Sequence, residues 1–295
     1  MNAEDTSMAL LNKETQISTL VEGLDHPEGI AWGLDGHVYA GGEAGQIYRV
    51  NIDRKEASEI ANTGGFVLGI ALDADSNIYA CDLVAKCVQK ITPGGIISTY
   101  SSGTRNEPMS VPNYPAFDSR GNLYVCDSGG WKENDGRIYK IGHDGEATVW
   151  NRTLREFPNG LCMGPNEQHL YVAMSLSPPR VDRIEINPDG SCGRKETVVE
   201  LPETVPDGVA FDSDGNLYIS CYRPDLIYKF SQQHNLEIFA QDLEGTVMAA
   251  PTNIAFCGEN RDILLSTNLG RWHISRYEAG LTGLPLHYPK LPTSG

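Results

Sequence analysis

HPEGIAWGLDGHVYAGGEAGQIYRV, residues 26 to 50, returns as VPDGVAFDSDGNLYISCYRPDLIYKF at 205 to 230. Weaker copies lie between and after them: VLGIALDADSNIYACDLVAKCVQKI from 67, VPNYPAFDSRGNLYVCDSG from 111, FPNGLCMGPNEQHLYVAMS from 157 and APTNIAFCGENRDILLSTN from 250. One column of the six copies reads Glu28, Leu68, Asn113, Asn159, Asp207 and Thr252, at spacings of 40, 45, 46, 48 and 45 residues. That period is expected when each repeat is one four-stranded sheet. A copy contains a short apolar strand (30–32), an Asp-Gly type turn, an alternating strand ending near Tyr39 and a third strand (47–50). A fourth follows in most copies, at 96–100, 147–150, 197–200 and 236–240. The pattern predicts an all-β, six-bladed β-propeller.

An open ring would leave strand edges exposed. After its third strand (273–277) the sixth copy runs into Gly and Pro, whereas QISTLV at 16–21 resembles the fourth strands of the other copies. The expectation is that this N-terminal strand completes the last blade. The chain then divides into an N-terminal extension (1–15), a propeller (16–279) and a C-terminal tail (280–295).

The 295 residues carry 39 acidic against 23 basic side chains, a formal net charge of −16. Such a field repels nucleic-acid backbones and anionic lipid surfaces, and no basic patch offsets it. No run approaches 18 apolar residues, and the opening MNAEDTSMALLNKETQ lacks a signal-peptide core. The seven cysteines are scattered, with no CxxC pair, and read as reduced thiols of a cytoplasmic protein. Nothing in the sequence points to an oligomeric state.

In a propeller the inner strand starts at one mouth of the central channel, and the loops between second and third strands return to that mouth. The column therefore places Glu28, Asn113, Asn159 and Asp207, oxygen donors on four blades, around one axis, with Leu68 and Thr252 completing the circle. Two carboxylates and two amide carbonyls suit a hard cation such as Ca²⁺ or Mg²⁺. Turn chemistry competes with that reading, because Pro-Asn-Gly and Pro-Asp-Gly are good turn sequences. It accounts less well for Glu28 and for an Asn113 followed by Tyr114. The Asp-Gly pairs at 35, 144, 189 and 214 recur at hairpins and read as turns rather than calcium loops.

HPEGIAW, VPNYPAFD, FPNGL and VPDGVAFD resemble the metal-ligand segments of the gluconolactonase, senescence marker protein and luciferin-regenerating enzyme family, six-bladed propellers that include sugar lactonases. The resemblance spans about residues 17 to 277. It implies that Glu28, Asn113, Asn159 and Asp207 ligate one divalent cation, calcium first, with zinc, manganese, iron or magnesium as alternatives. It also implies opening of a sugar (aldono) lactone or related lactone to the hydroxy acid, with Asp207 as catalytic residue. Many relatives place Asp directly after the first Asn, where this chain has Tyr114. FPNGLCM and VLGIALDADSNIYACD also resemble strictosidine-synthase-like propellers. Rival expectations are phosphotriester or fluorophosphate hydrolysis on the same cation, and a metal-stabilised binding propeller without catalysis.

A small-molecule lactone would meet the loops between second and third strands. Candidate contacts there are Asp127, Trp131, Tyr222 and Arg223, with Tyr114 beside the ligand column. Trp131, in the longest of these loops, offers a flat wall for a sugar ring. Asp127 shares its repeat position with Asp82, which equally favours a structural turn role.

Overall fold

A computed structural model describes residues 16–278 and 280–292, so the N-terminal extension lies outside the described residues. Six four-stranded antiparallel sheets are arranged as the repeat predicts. Their inner strands are Ile30–Trp32, Val67–Leu72, Pro112–Phe117, Pro158–Met163, Val205–Phe211 and Pro251–Cys257. The sixth blade is completed by Gln16–Glu22, which pairs antiparallel with His273–Glu278 from Gln16↔Glu278 to Glu22↔His273. The ring is thus fastened by the N-terminal strand. The first blade also has a fourth strand, Glu56–Asn62, which is too polar and too exposed to stand out as a buried strand in the sequence.

The recurring words of the repeat are packing instructions. In DADSNIY and DSDGNLY, Asp73 accepts from the Asn77 backbone and side chain (both 2.8 Å) and from the Tyr79 hydroxyl (3.0 Å). Asp212, Asn216 and Tyr218 repeat that arrangement. Each Asp therefore folds a hairpin turn on the face away from the column, and the turns need no cation. Tyr79, Tyr171 and Tyr218 pack edge-on against Phe117, Phe211 and Phe256 of the following blade, with ring centroids 5.0, 4.8 and 5.5 Å apart. Such pairs add about 0.5–1.5 kcal/mol each beyond their buried area.

Further along the channel the inner strands turn apolar. Ile30, Ile70, Leu161, Val209 and Ile254 surround a cavity of about 90 Å³, roofed by Tyr114 and floored by 284–288. The C-terminal tail thus crosses the far mouth of the channel. Leu284 N–H donates to Phe211 O (2.9 Å), the Tyr288 hydroxyl to Trp32 O (2.6 Å) and Ala74 N–H to Pro289 O (3.0 Å).

The loop leading into the last inner strand is organised by Asp242. Its carboxylate accepts backbone N–H bonds from Thr246 (2.8 Å), Val247 (2.7 Å) and Met248 (3.0 Å), and from Glu244 and Gly245 (3.1 Å each). Burial works against this charge, but the amides of Val247, Met248, Thr246 and Glu244 outweigh it and hold the carboxyl at about 2. A depressed carboxyl stabilises the fold above its unfolded value of about 3.9, and that contribution disappears as pH falls through the folded value. Asp242→Ala should therefore cost about 2 kcal/mol at pH 7, and the gap to wild type should narrow between pH 4 and pH 2. Urea denaturation across that range measures it; a gap independent of pH would contradict the assignment.

Candidate functional site

All six residues of the column are buried at one mouth of the channel, and backbone geometry aims them there. In five inner strands the pairing shifts at the column, between Val67/Ile70, Pro112/Pro115, Pro158/Leu161, Pro206/Val209 and Pro251/Ile254. Three steps on the inner strand match two on its partner, the signature of a β-bulge, which redirects a side chain out of the sheet face. In blades one, two, four and five the residue after the column is a glycine, which lets neighbouring blades approach. A β-carbon at Gly69 would collide with the carbonyl of Asn113, and one at Gly160 with that of Asp207.

Hydroxyls from the second strands, or from the residues just after them, link blade three to four, four to five, five to six and six to one. Ser128 Oγ accepts from Asn113 Nδ2 (3.0 Å) and donates to Pro158 O (2.8 Å). Ser175 Oγ accepts from Asn159 Nδ2 (3.2 Å) and donates to Pro206 O (2.6 Å). Ser220 accepts from Gly208 N–H (2.9 Å) and donates to Thr252 O. Thr267 donates to the Glu28 carbonyl and so links blade six to blade one. With each serine proton committed to a carbonyl, its lone pair must receive an amide N–H. The side-chain oxygens of Asn113 and Asn159 are thereby turned away from the serines.

Those oxygens have no partner. Asn113 Oδ1, Asn159 Oδ1 and Asp207 Oδ1 are buried and unbonded. Glu28 Oε2 accepts only from Asn253 Nδ2 (3.0 Å). Burial, and then the charge of Asp207, push the Glu28 carboxyl well above its ordinary range, and burial raises Asp207 as well. Among the described residues neither carboxylate has a basic ion-pair partner within 4 Å. Two buried carboxylates and two unpaired amide oxygens can be satisfied together by a hard cation. The donor set fits such an ion, and Glu28, Asn113, Asn159 and Asp207 could hold it.

The other sequence candidates divide. Tyr114 is half-buried in the channel just inside the column, its phenol pushed up by desolvation and then by Cys162 and Glu28, so it is a neutral floor to the site. Trp131 is 53% exposed on the rim, edge-on to Phe157 with centroids 4.9 Å apart. Tyr222 and Arg223 stack on one another (4.8 Å), and Arg223 is paired to Asp225 (2.8 Å), so its charge is already engaged. Asp127 turns away from the channel. It accepts from Ser110 N–H (3.0 Å), Ser110 Oγ (3.1 Å) and Val111 N–H (2.6 Å) and so ties down the segment entering the inner strand, whereas Asp82 accepts from Val84 and Ala85 N–H of the turn that follows it.

The sequence reading passed over the roles of Ser128, Ser175 and Thr267, and it missed Asn253 altogether. The serines follow or end the second strand in several copies, a recurrence the column alignment could have extended to. Asp25, His26 and Glu43 also cluster on this rim. His26 Nδ1 bonds Asp25 (3.0 Å) and Nε2 accepts from the Trp272 indole (3.1 Å), so both ring nitrogens are used within the protein.

Ser128→Ala or Ser175→Ala leaves a buried carbonyl and a buried amide unpaired and should cost about 2–3 kcal/mol, whereas Thr, which keeps the hydroxyl, should recover part of that loss. Denaturant titration of the four variants tests these links; alanine variants as stable as wild type would refute them.

Comparison with known proteins agrees with this architecture. Residues 96–269, more than half of the chain, match the SMP-30/Gluconolactonase/LRE-like region, and residues 15–50 match the strictosidine synthase-like N-terminal family. Lactonase drp35 of Staphylococcus haemolyticus is 26% identical over 207 residues, 64% of this chain and 61% of that protein. Protein STRICTOSIDINE SYNTHASE-LIKE 6 of Arabidopsis thaliana is 27% identical over 221 residues, 67% of this chain and 56% of that protein. The alignments thus span less than two thirds of these relatives' lengths. Among solved structures, a gluconolactonase from Xanthomonas campestris superposes with a TM-score of 0.78 at 17% identity, over 90% of both chains. The calcium-binding protein regucalcin from Agrobacterium tumefaciens does so with a TM-score of 0.78 at 15% identity, over 94% of this chain and 98% of that one. At these identities the likeness concerns the fold. The six-bladed ring with its column of inward-turned oxygens, and the match over residues 96–269, make this chain a member of the SMP-30/gluconolactonase/LRE-like family.

Proposed function

We propose that the protein is a divalent-cation-dependent lactonase that opens a sugar or related lactone to its hydroxy acid. The observation that carries this reading is the set of buried, unbonded oxygens on Asn113, Asn159 and Asp207, gathered with the Glu28 carboxylate and no basic side chain. Lactone chemistry is supported by family membership and by relatives named lactonase and gluconolactonase. An all-oxygen donor set favours Ca²⁺ among the candidate ions, and regucalcin, a structural neighbour, is named for calcium binding. The free thiols of all seven cysteines suit a reducing, cytoplasmic setting.

Glu28, Asn113, Asn159 and Asp207 would hold the cation, which would supply Lewis-acid polarisation of the lactone carbonyl. The chain's residues do the rest. Asp207 takes the proton of the attacking water on a carboxylate oxygen. Glu28 supplies the second negative charge, and the Ser128 and Ser175 hydroxyls keep the amide oxygens facing the axis. Tyr114 lies beneath the site, and at the mouth the exposed indole of Trp131 gives a ring-bearing substrate a flat wall.

Acid release from a panel of aldonolactones tests the proposal, using chelated protein and protein restored with Ca²⁺, Zn²⁺, Mn²⁺ or Mg²⁺. Activity should vanish on chelation and return with metal. Asp207→Asn should lower kcat by about 10²- to 10⁴-fold, and Glu28→Gln should weaken Ca²⁺ binding. Metal that restores thermal stability while no lactone turns over would replace the enzyme with a binding propeller; hydrolysis of a phosphotriester alone would replace the substrate class.

A further inference from the structure

Blade six has no free oxygen in the ligand column. Thr252 stands there, but its hydroxyl donates to the Glu28 carbonyl (2.9 Å) and meets the Thr267 hydroxyl (3.1 Å). The next residue, Asn253, is fully buried. Its Nδ2 donates to Glu28 Oε2 (3.0 Å) and to Glu28 O (3.1 Å). Two acceptors on one side fix the amide: the reversed orientation would set an oxygen against a carboxylate. The side-chain oxygen that remains, Oδ1, has no partner. Asn253 thus repeats what marks Asn113 and Asn159, an amide whose N–H is spent on a protein acceptor and whose oxygen is buried and unbonded.

Its place is as telling as its bonding. Where blade six has Asn253, blades one, two, four and five have Gly29, Gly69, Gly160 and Gly208, and blade three has Tyr114. A β-carbon at Gly208, the residue after Asp207, would lie 3.0 Å from Asn253 Oδ1. The amide therefore reaches from Glu28 on one side to the strand of Asp207 on the other. The two ends of an amide are about 2.3 Å apart, which puts Oδ1 within about 5 Å of the Glu28 carboxylate oxygen. One calcium ion, at about 2.3–2.6 Å from each oxygen, bridges two oxygens separated by that much.

Resting on the cation reading above, we infer that Asn253 is a fifth oxygen ligand of the site, displaced by one residue from the repeat column, while its amide N–H holds the Glu28 carboxylate in place. A buried oxygen lone pair without a partner, on an amide that touches the Glu28 carboxylate, is costly, and a cation removes that cost. Five protein oxygens also bias the site toward Ca²⁺, which takes 6–8 oxygens in a flexible shell, and away from Mg²⁺, which keeps several waters.

Terbium(III) luminescence lifetimes in H₂O and D₂O count the waters on the bound ion, and calorimetry with Ca²⁺ gives its affinity; neither needs turnover. Two variants remove the oxygen, Asn253→Ala and Asn253→Gly, the latter installing the residue that four other blades carry. The expected result is one additional water on terbium in the Ala and Gly variants and Ca²⁺ affinity weakened about 10- to 100-fold when the oxygen is lost. Far-UV circular dichroism and thermal unfolding in chelator identify any variant that has not folded, and the remaining ones decide. An unchanged water count in a folded Ala or Gly variant overturns Asn253 as a ligand, whatever its affinity, and leaves the cation site standing. Wild-type protein that binds neither Ca²⁺ nor terbium overturns both.

Discussion

The carbonyl of Glu28 is clasped by Thr252, Asn253 and Thr267, residues more than 220 positions later in the chain. The rest of the site depends on that contact, because it exists only when blade six meets blade one. The pairing of Gln16–Glu22 with His273–Glu278 fastens the same junction from outside. Ring closure and site assembly are therefore one event. A ligand held by Glu28 and Asp207 together would favour the closed ring by mass action.

The channel is built as a gradient. At the mouth, bulged strands turn carboxylates and amides toward the axis; two residues further in, aliphatic side chains replace them, and the tail seals the end. An apolar floor lowers the local dielectric beneath the oxygens, which strengthens every charge interaction above it. The polarity that burial makes costly is thus confined to a single layer, where the amide N–H groups of Asn113 and Asn159 are bonded to serines and their oxygens are left unpaired.

Much of this was legible in the repeat. The six copies located the blades, Gln16–Val21 was recognisable as the missing outer strand, and the column singled out Glu28, Asn113, Asn159 and Asp207, which the fold brings to one mouth of the channel. The Asp-Asn-Tyr hairpins could be recognised as turns because they recur on the face away from the column. Asn253 was invisible to the alignment because it lies one position off register, and its bonds run to Glu28, the most distant member of the column in sequence. Asp127 is ambiguous in sequence for the opposite reason: its position is regular, but only the fold shows its carboxylate bonded to residues 110 and 111.

The sequence by itself determined the number of blades, the strand that closes the ring and the column of oxygen-bearing residues, since a 45-residue period and alternating apolar positions are local properties of the chain. Tertiary structure alone decided which way each amide points, which aspartates face the axis and where the tail runs. Those outcomes depend on hydroxyls, carbonyls and β-bulges contributed by neighbouring blades, and the distance between blades is set by how closely glycine lets their backbones approach.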